Sequence, residues 1–358
     1  MGRRRYISVV FSFLLAMALV LAACQTADNS ESEQGKGDSG KKEAKSATAQ
    51  GNAVWEPEKP IEFVAPAGAG GGWDTTARTV QQVLSEEGLV EKNIMVVNKP
   101  GGGGAIGWTY IHDQKDGDPH TLFVTSPPIM FVPLNGQSEY NHKDFTPIAG
   151  LIADYAAFVV KADAKWQTME DLVVDLKKNP RAISVVGDSA PGSMDHMQFV
   201  KAVHAAKVDA KNIKFVSSQD GNGMAMLLGG QVDVYSTGLA EATEQAKAGK
   251  VRVLAITAPE RLKEETVSEF PTLKEQGIDD EFIVWRGFMG PPNMDPAAVK
   301  YWEETLKKMT ETDKWQEKLE SYGWEANFMT SEEFGNFLDK EYDVFEKLMQ
   351  EIGLKKGN

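Results

Sequence analysis

Residues 61–87 read IEFVAPAGAGGGWDTTARTVQQVLSEE, and this stretch decides the fold class. Ile61–Pro66 is a short apolar run and Ala67–Trp73 is glycine-rich. From Asp74 to Glu87, Ala77, Val80 and Leu84 recur at helical spacing, with Asp74 a natural N-cap. The order is therefore strand, glycine loop, helix. It repeats at once: Asn93–Asn98 (NIMVVN) leads into Lys99–Gly104 (KPGGGG) and a helix through 105–114, and Thr121–Thr125 (TLFVT) ends in Ser126-Pro127-Pro128. Strands alternating with helices predict a parallel α/β sheet whose ligand crevice lies at the carboxyl ends of the strands.

A second set follows. Ala156–Lys161 (AAFVVK), a helix over 168–179, Ala182–Gly187 (AISVVG), the loop Asp188–Ser193 (DSAPGS) and a helix over 194–206 lead to a strand over 212–217. A loop at 218–223, a helix over 224–229, a strand over 232–236, a helix over 240–248 and Val251–Thr257 (VRVLAIT) close it. Residues 297–358 read as helices, with Trp302, Leu306 and Met309 on one stripe. Two α/β units of this size predict two lobes with a cleft between them.

Upstream of residue 61 the composition changes character. Arg3, Arg4 and Arg5 precede an apolar run from Ile7 to Ala23, too short for a typical membrane span and suited to a signal-peptide core. It ends Leu21-Ala22-Ala23-Cys24, which resembles the lipobox of bacterial lipoproteins and implies cleavage before Cys24 and lipidation of that cysteine, with the rest of the chain outside the cytoplasmic membrane. Residues 25–53 hold only small and polar side chains and read as a disordered tether.

Across 358 residues the net charge is −14; beyond residue 53 there are 31 basic and 47 acidic side chains, a net of −16. Such a chain is a poor nucleic-acid binder. A single cysteine excludes an internal disulfide and any multi-cysteine metal site, and five scattered histidines without HExxH argue against a zinc site. No metal or cofactor is expected.

Glycines open the backbone at a helix N-terminus, where N–H groups and the helix dipole favour an anion, so Gly70–Gly72 read as an anion cradle or as a tight turn. Gly102–Gly107 satisfies G-x-G-x-x-G, but the next strand ends in Thr125 and Ser126 rather than in an acid, so a turn is the better reading than a dinucleotide site. Ser193, Asp195 and His196 invite a hydrolase reading. Their adjacency on one helix makes a poor triad, and His196 reads as a half-buried helix residue. Of the tryptophans, Trp73 and Trp285 adjoin glycine-bearing loops and are the two expected near a ligand.

Several motifs together resemble one family, the substrate-binding receptors of tripartite tricarboxylate transporters (Bug-type receptors): Val64–Arg78 (VAPAGAGGGWDTTAR), Val97–Gly104 (VNKPGGGG), Gly187–His196 (GDSAPGSMDH), Leu227–Val234 (LLGGQVDV), Ala248–Thr257 (AGKVRVLAIT), Pro271–Gly277 (PTLKEQG), and Trp285-Arg286-Gly287-Phe288 with Pro291-Pro292. The chain departs from the family's pattern at Ala69, where many relatives have proline, and at 219–221, where many have tyrosine-lysine-glycine. The resemblance implies a two-lobed periplasmic-binding-protein fold, type II-like, without catalytic activity. Residues 54–157 and 286–358 would form one lobe and 158–285 the other, with chain crossings near 157 and 285. It implies a monomeric receptor for a small di- or tricarboxylate such as citrate, passed to membrane permease subunits. One carboxylate would rest on Gly70, Gly71 and Gly72 beside Trp73. Ser126, Ser189 and Ser193, with Gly192, would meet the other end, Arg286 would stand at a lobe crossing, and Asp74 would be an N-cap more than a ligand contact. The competing readings are a secreted hydrolase using Ser193 and His196, and an anion receptor of another transporter type.

Overall fold

The computed structural model describes residues 55–218 and 221–356. The signal segment 1–23, Cys24, the tether 24–53, and Gln219 and Asp220 of the 218–223 loop lie outside the described residues.

Strands β1 (Ile61–Ala65), β2 (Ile94–Asn98), β3 (Thr121–Thr125), β4 (Thr146–Ala153), β10 (Arg286–Gly290) and β11 (Glu325–Met329) form one sheet, ordered β11-β4-β10-β3-β1-β2. Strands β5 (Ala156–Lys161), β6 (Ser184–Gly187), β7 (Lys214–Ser217), β8 (Val234–Gly238) and β9 (Val251–Ile256) form the second, ordered β7-β6-β8-β5-β9. Each sheet is the core of one lobe. The expectation of parallel sheets is corrected: β1 pairs parallel with β2 and β3, and β6 with β7 and β8, but β10, β4 and β11 run antiparallel, as do β5 and its two neighbours. The strands on either side of the lobe crossings, β4, β5, β9 and β10, are all in antiparallel pairs. The chain enters the second sheet directly from the first, without a helical crossover to reverse its direction.

The first crossing runs through Asp154 and Tyr155, so Ala156 and Ala157 already pair in the second sheet. The return runs beside it, with Asp154 and Val284 exchanging backbone hydrogen bonds at 3.1 and 2.8 Å. The hinge is thus two adjacent strands stitched together.

Among the described residues ten α-helices flank the sheets: α1 (Gly72–Glu86), α2 (Ala105–Gln114), α3 (Pro128–Leu134), α4 (Met169–Lys178), α5 (Met194–Ala205), α6 (Gly223–Leu228), α7 (Leu239–Lys247), α8 (Pro296–Thr310), α9 (Asp313–Tyr322) and α10 (Ser331–Glu351). Their ends carry the expected chemistry. Thr168 and Thr330 make capping boxes with Asp171 and Glu333, and Gly323 closes α9 in the left-handed region at φ 66°. One apolar core runs through both lobes: Phe131 of α3 and Phe345 of α10 meet at 4.6 Å between ring centroids, and Phe282 of the return connection lies 5.7 Å from Phe345.

Candidate functional site

The strands β1, β3, β6 and β8 all end at one cavity of about 580 Å³, and the helices that follow them, α1, α3, α5 and α7, start on its wall. This is where an open α/β sheet places a ligand, and helix N-termini give such a site positive potential.

The first-lobe wall is built from the loop that opens α1. Gly70, Gly71, Gly72 and Trp73 line the cavity. Gly70 has φ +83°, a conformation that other residues rarely adopt, and its N–H donates to Asp74 Oδ2 at 2.8 Å. Asp74 is not the N-cap; that position is Gly71, which carries no side-chain cap. Asp74 sits buried inside the first turn, off the cavity, and also accepts from Arg78 and from Asn98 Nδ2 at 2.8 Å. Burial raises its pKa, but these partners outweigh it, and the carboxyl ends below its usual range. With Gly70 N–H occupied internally, the amides at this helix end without a partner among the described residues are those of Gly72 and Trp73, followed by Asp74.

Trp73 is fixed by Nε1 donating to Ser126 Oγ at 2.8 Å, which also places Ser126 on the wall. Arg286 opens β10 against α1. A Cβ on Gly72 would lie 3.0 Å from Arg286 Nη2, so only glycine lets the guanidinium approach this closely. Nη2 pairs with Asp154 Oδ2 at 3.1 Å, with the two side chains 12% and 11% exposed, while Nη1 is buried with no partner among the described residues. Burial pushes the Asp154 carboxyl above its usual range although Arg286 pulls it down. Tyr322 and Trp324, unread in the sequence, complete this wall. They stack at 4.4 Å, and the Arg286 guanidinium lies 5.7 Å from the Trp324 ring.

The second-lobe wall carries Asp188, Ser189, Met194, Asp195, Gln198 and Tyr235, with Thr237, Gly238, Ala240 and Glu241 around the start of α7. Ser189 Oγ accepts from Asp195 N at 2.8 Å and so caps α5. Asp195 Oδ2 in turn accepts from the backbone N–H groups of Asp188 and Ser189, both at 2.8 Å. Its carboxyl is pushed up to about 7, chiefly by burial, with the charges of Asp188 and Glu241 adding.

Three sequence-derived expectations change here. Gly192 and Ser193 do not line the cavity: Ser193 is 3% exposed as the N-cap of α5, and Gly192 turns at φ +81° to give its N–H to His196 Nδ1 at 2.9 Å. Trp285 does not line it either, being packed edge-on against Phe334 and Phe337. His196 lies stacked on Phe215, its pKa pushed down to about 4 by burial, with no hydrogen bond to Ser193. A nucleophile–base pair is therefore not formed there. Among the described residues no three His, Cys, Asp or Glu side chains converge to hold a metal ion.

A two-lobed α/β protein whose helix N-termini converge on an interlobe cavity is of the binding-protein class. Comparison with known proteins then identifies the family. The chain belongs to the tripartite tricarboxylate transporter family receptors, matching over residues 76–354. A UPF0065 protein of Agrobacterium vitis is 27% identical over 257 residues, covering 70% of this chain and 71% of its own. A TctC solute binding protein from Polaromonas is 27% identical with a TM-score of 0.66, covering 82% of this chain and 99% of that one. An adipate-bound protein of R. palustris is 23% identical with a TM-score of 0.72, covering 83% and 98%. The family is one of receptors, and the chain is a receptor rather than an enzyme.

Proposed function

We propose that the protein is an extracytoplasmic, lipid-anchored, monomeric receptor that captures a small di- or tricarboxylate, citrate-like in size, and delivers it to the permease subunits of a tripartite tricarboxylate transporter. The observation that carries the ligand class is the first-lobe wall: Gly72 and Trp73, whose amides have no partner among the described residues, and Arg286 border one cavity. A carboxylate there would complete the helix end and satisfy the guanidinium with charge-assisted hydrogen bonds. The adipate in the R. palustris relative supports an organic acid over an inorganic anion. Ser126 and Ser189 remain proposed contacts. Ser193 and Gly192 are proposed to act by shaping the turn before α5, Asp74 by holding the glycine loop.

The test is isothermal titration of the purified protein with citrate, succinate, glutarate, adipate and phosphate. Binding of one or more organic acids, recovered unchanged, is expected. Binding of phosphate alone would replace this reading by a receptor of another transporter type, and turnover of an ester panel would revive the hydrolase.

A further inference from the structure

The second-lobe wall of the cavity is made of acceptors. Asp188 is held by the hydroxyls of Ser218 and Tyr235 and by Gly223 N at 2.9 Å; Asp195 by two backbone N–H groups; Glu241 by the hydroxyl of Thr237. Every one of these donors is neutral. Oδ1 of Asp195 and Oε1 of Glu241 accept from none of the described residues. Among the described lining residues Arg286 is the one cation, and it is paired on the first-lobe side with Asp154.

Gln198 adds an independent observation. It is 1% exposed yet lines the cavity. Its Nε2 donates to Ser236 Oγ at 2.9 Å and to the Thr237 carbonyl oxygen at 3.3 Å. A carbonyl can only accept, so the orientation of the amide is set. That leaves Oε1, on a side chain only 1% exposed, as an acceptor to which no described residue donates and which is open to a donor in the cavity it lines.

The placement of the acids sharpens the contrast. Asp195 is the second residue of α5 and Glu241 the third of α7, so each cancels the positive end of its own helix. A second carboxylate directed at this wall would meet like charge, whereas an ammonium would meet three unpaired acceptor oxygens. Resting on the carboxylate reading above, we propose that the ligand is an amino-carboxylate, with its carboxylate on the α1 N-terminus and Arg286 and its protonated amine facing Asp195, Glu241 and Gln198. A bridging metal ion is the poorer occupant, since no described acidic trio converges at metal-binding distances.

Titration calorimetry of the purified protein at pH 7.5 with three probes tests this. Glutarate is the reference. Glutamate adds an ammonium to it, and 5-aminopentanoate exchanges one carboxylate for an ammonium. At least one amino acid should bind about tenfold or more tighter than glutarate. Glu241→Gln and Asp195→Asn should each reduce that preference about fivefold or more. Glutarate binding as tightly as both amino acids overturns the amine assignment and leaves the carboxylate reading standing. No binding of any probe or of the organic acids named above overturns both. Variants that weaken all three probes alike, or a preference that disappears when EDTA is added, also overturn the amine assignment.

Discussion

The Arg286–Asp154 pair offers the sharpest separation of folding from binding. Arg286→Gln removes the partner of a carboxylate that is 11% exposed, held at 3.1 Å by one guanidinium nitrogen. Breaking a buried pair from one side costs about 3–5 kcal/mol, because the remaining charge has lost its partner. At roughly 2 °C per kcal/mol for a chain this large, the midpoint of thermal unfolding should fall by about 6–10 °C. The loss should depend on pH. Burial already raises the Asp154 pKa against the pull of Arg286, and removing the arginine raises it further above the unfolded value. An acid whose folded pKa is raised contributes stability that is present at low pH and lost as pH rises through the folded pKa. The variant should therefore be closer to wild type at pH 5 than at pH 8.

Asp154→Asn separates the two roles. It keeps Arg286, frees Nη2, and should leave ligand affinity equal or higher while still costing stability. Arg286→Gln should weaken binding by about 10–150-fold, the worth of a charge-assisted hydrogen bond of ~1.5–3 kcal/mol. The double variant carries a neutral pair and should be more stable than the sum of the single losses by about 1–3 kcal/mol. Denaturant unfolding of all four proteins at both pH values, with titration at pH 7.5, measures the cycle. Additivity within about 0.5 kcal/mol, or an affinity unchanged in Arg286→Gln, would refute the reasoning.

Four further outcomes are expected. Gly72→Ala places a Cβ 3.0 Å from Arg286 Nη2; it should displace the guanidinium and weaken binding about tenfold, with a stability loss of ~1–2 kcal/mol, read by titration and thermal unfolding. Ser126→Ala removes the acceptor of Trp73 Nε1; it should cost ~1 kcal/mol, read in denaturant unfolding. Asp195, with its carboxyl pushed up to about 7, lowers stability as pH rises from about 4 to 7, so Asp195→Asn should flatten that part of the stability–pH curve; an unchanged slope contradicts the burial of this carboxyl. Cys24→Ser should abolish fatty-acid labelling of the protein in cells, and equal labelling of both forms would remove the lipid anchor.

Much of the fold was legible because strands and helices here have different periods. TLFVT at 121–125 and AAFVVK at 156–161 are the observed strands to the residue, and the helix over 168–179 differs from α4 only by its two caps. The missed elements share a cause. The helix α3 reads PIMFVPL, apolar throughout and containing Pro133, so it has no polar face to set a period. The strand β4 contains Pro147 and Gly150, and β10 reads RGFMG; both are tolerated because their neighbours fill the space, as where a Cβ on Gly287 would lie 2.5 Å from the Ala149 carbonyl. At the site, the glycine loop and Arg286 were readable as motifs. Tyr322 and Trp324 were not, because they reach the wall only through the return of α9 and β11 to the first sheet. Ser193 and Gly192 shared a motif with Ser189, but they end the turn before α5, where Ser193 is buried as the N-cap and Gly192 gives its N–H to His196.

How a protein with −16 beyond its tether holds an anion then reduces to which few groups act at short range. Potential from surface charge is damped over ~8–10 Å in physiological salt, so the distant acids matter less than the neutral dipoles at contact. On the first-lobe wall, Asp74 is compensated by Arg78 and by neutral donors, which keeps the positive end of α1 available. On the second-lobe wall, Asp195 and Glu241 have no cation among their partners and hold that side negative. Opposite polarity across one cavity acts as an orienting field: it fixes which end of a ligand enters which lobe. Exchanging the polarity of the second wall, with Asp195→Asn and Glu241→Gln combined, should therefore shift selectivity toward the all-anionic acids while leaving the first-lobe carboxylate contact intact. A double variant that loses glutarate along with the amino acids would show instead that these acids serve only to hold α5 and α7 in place.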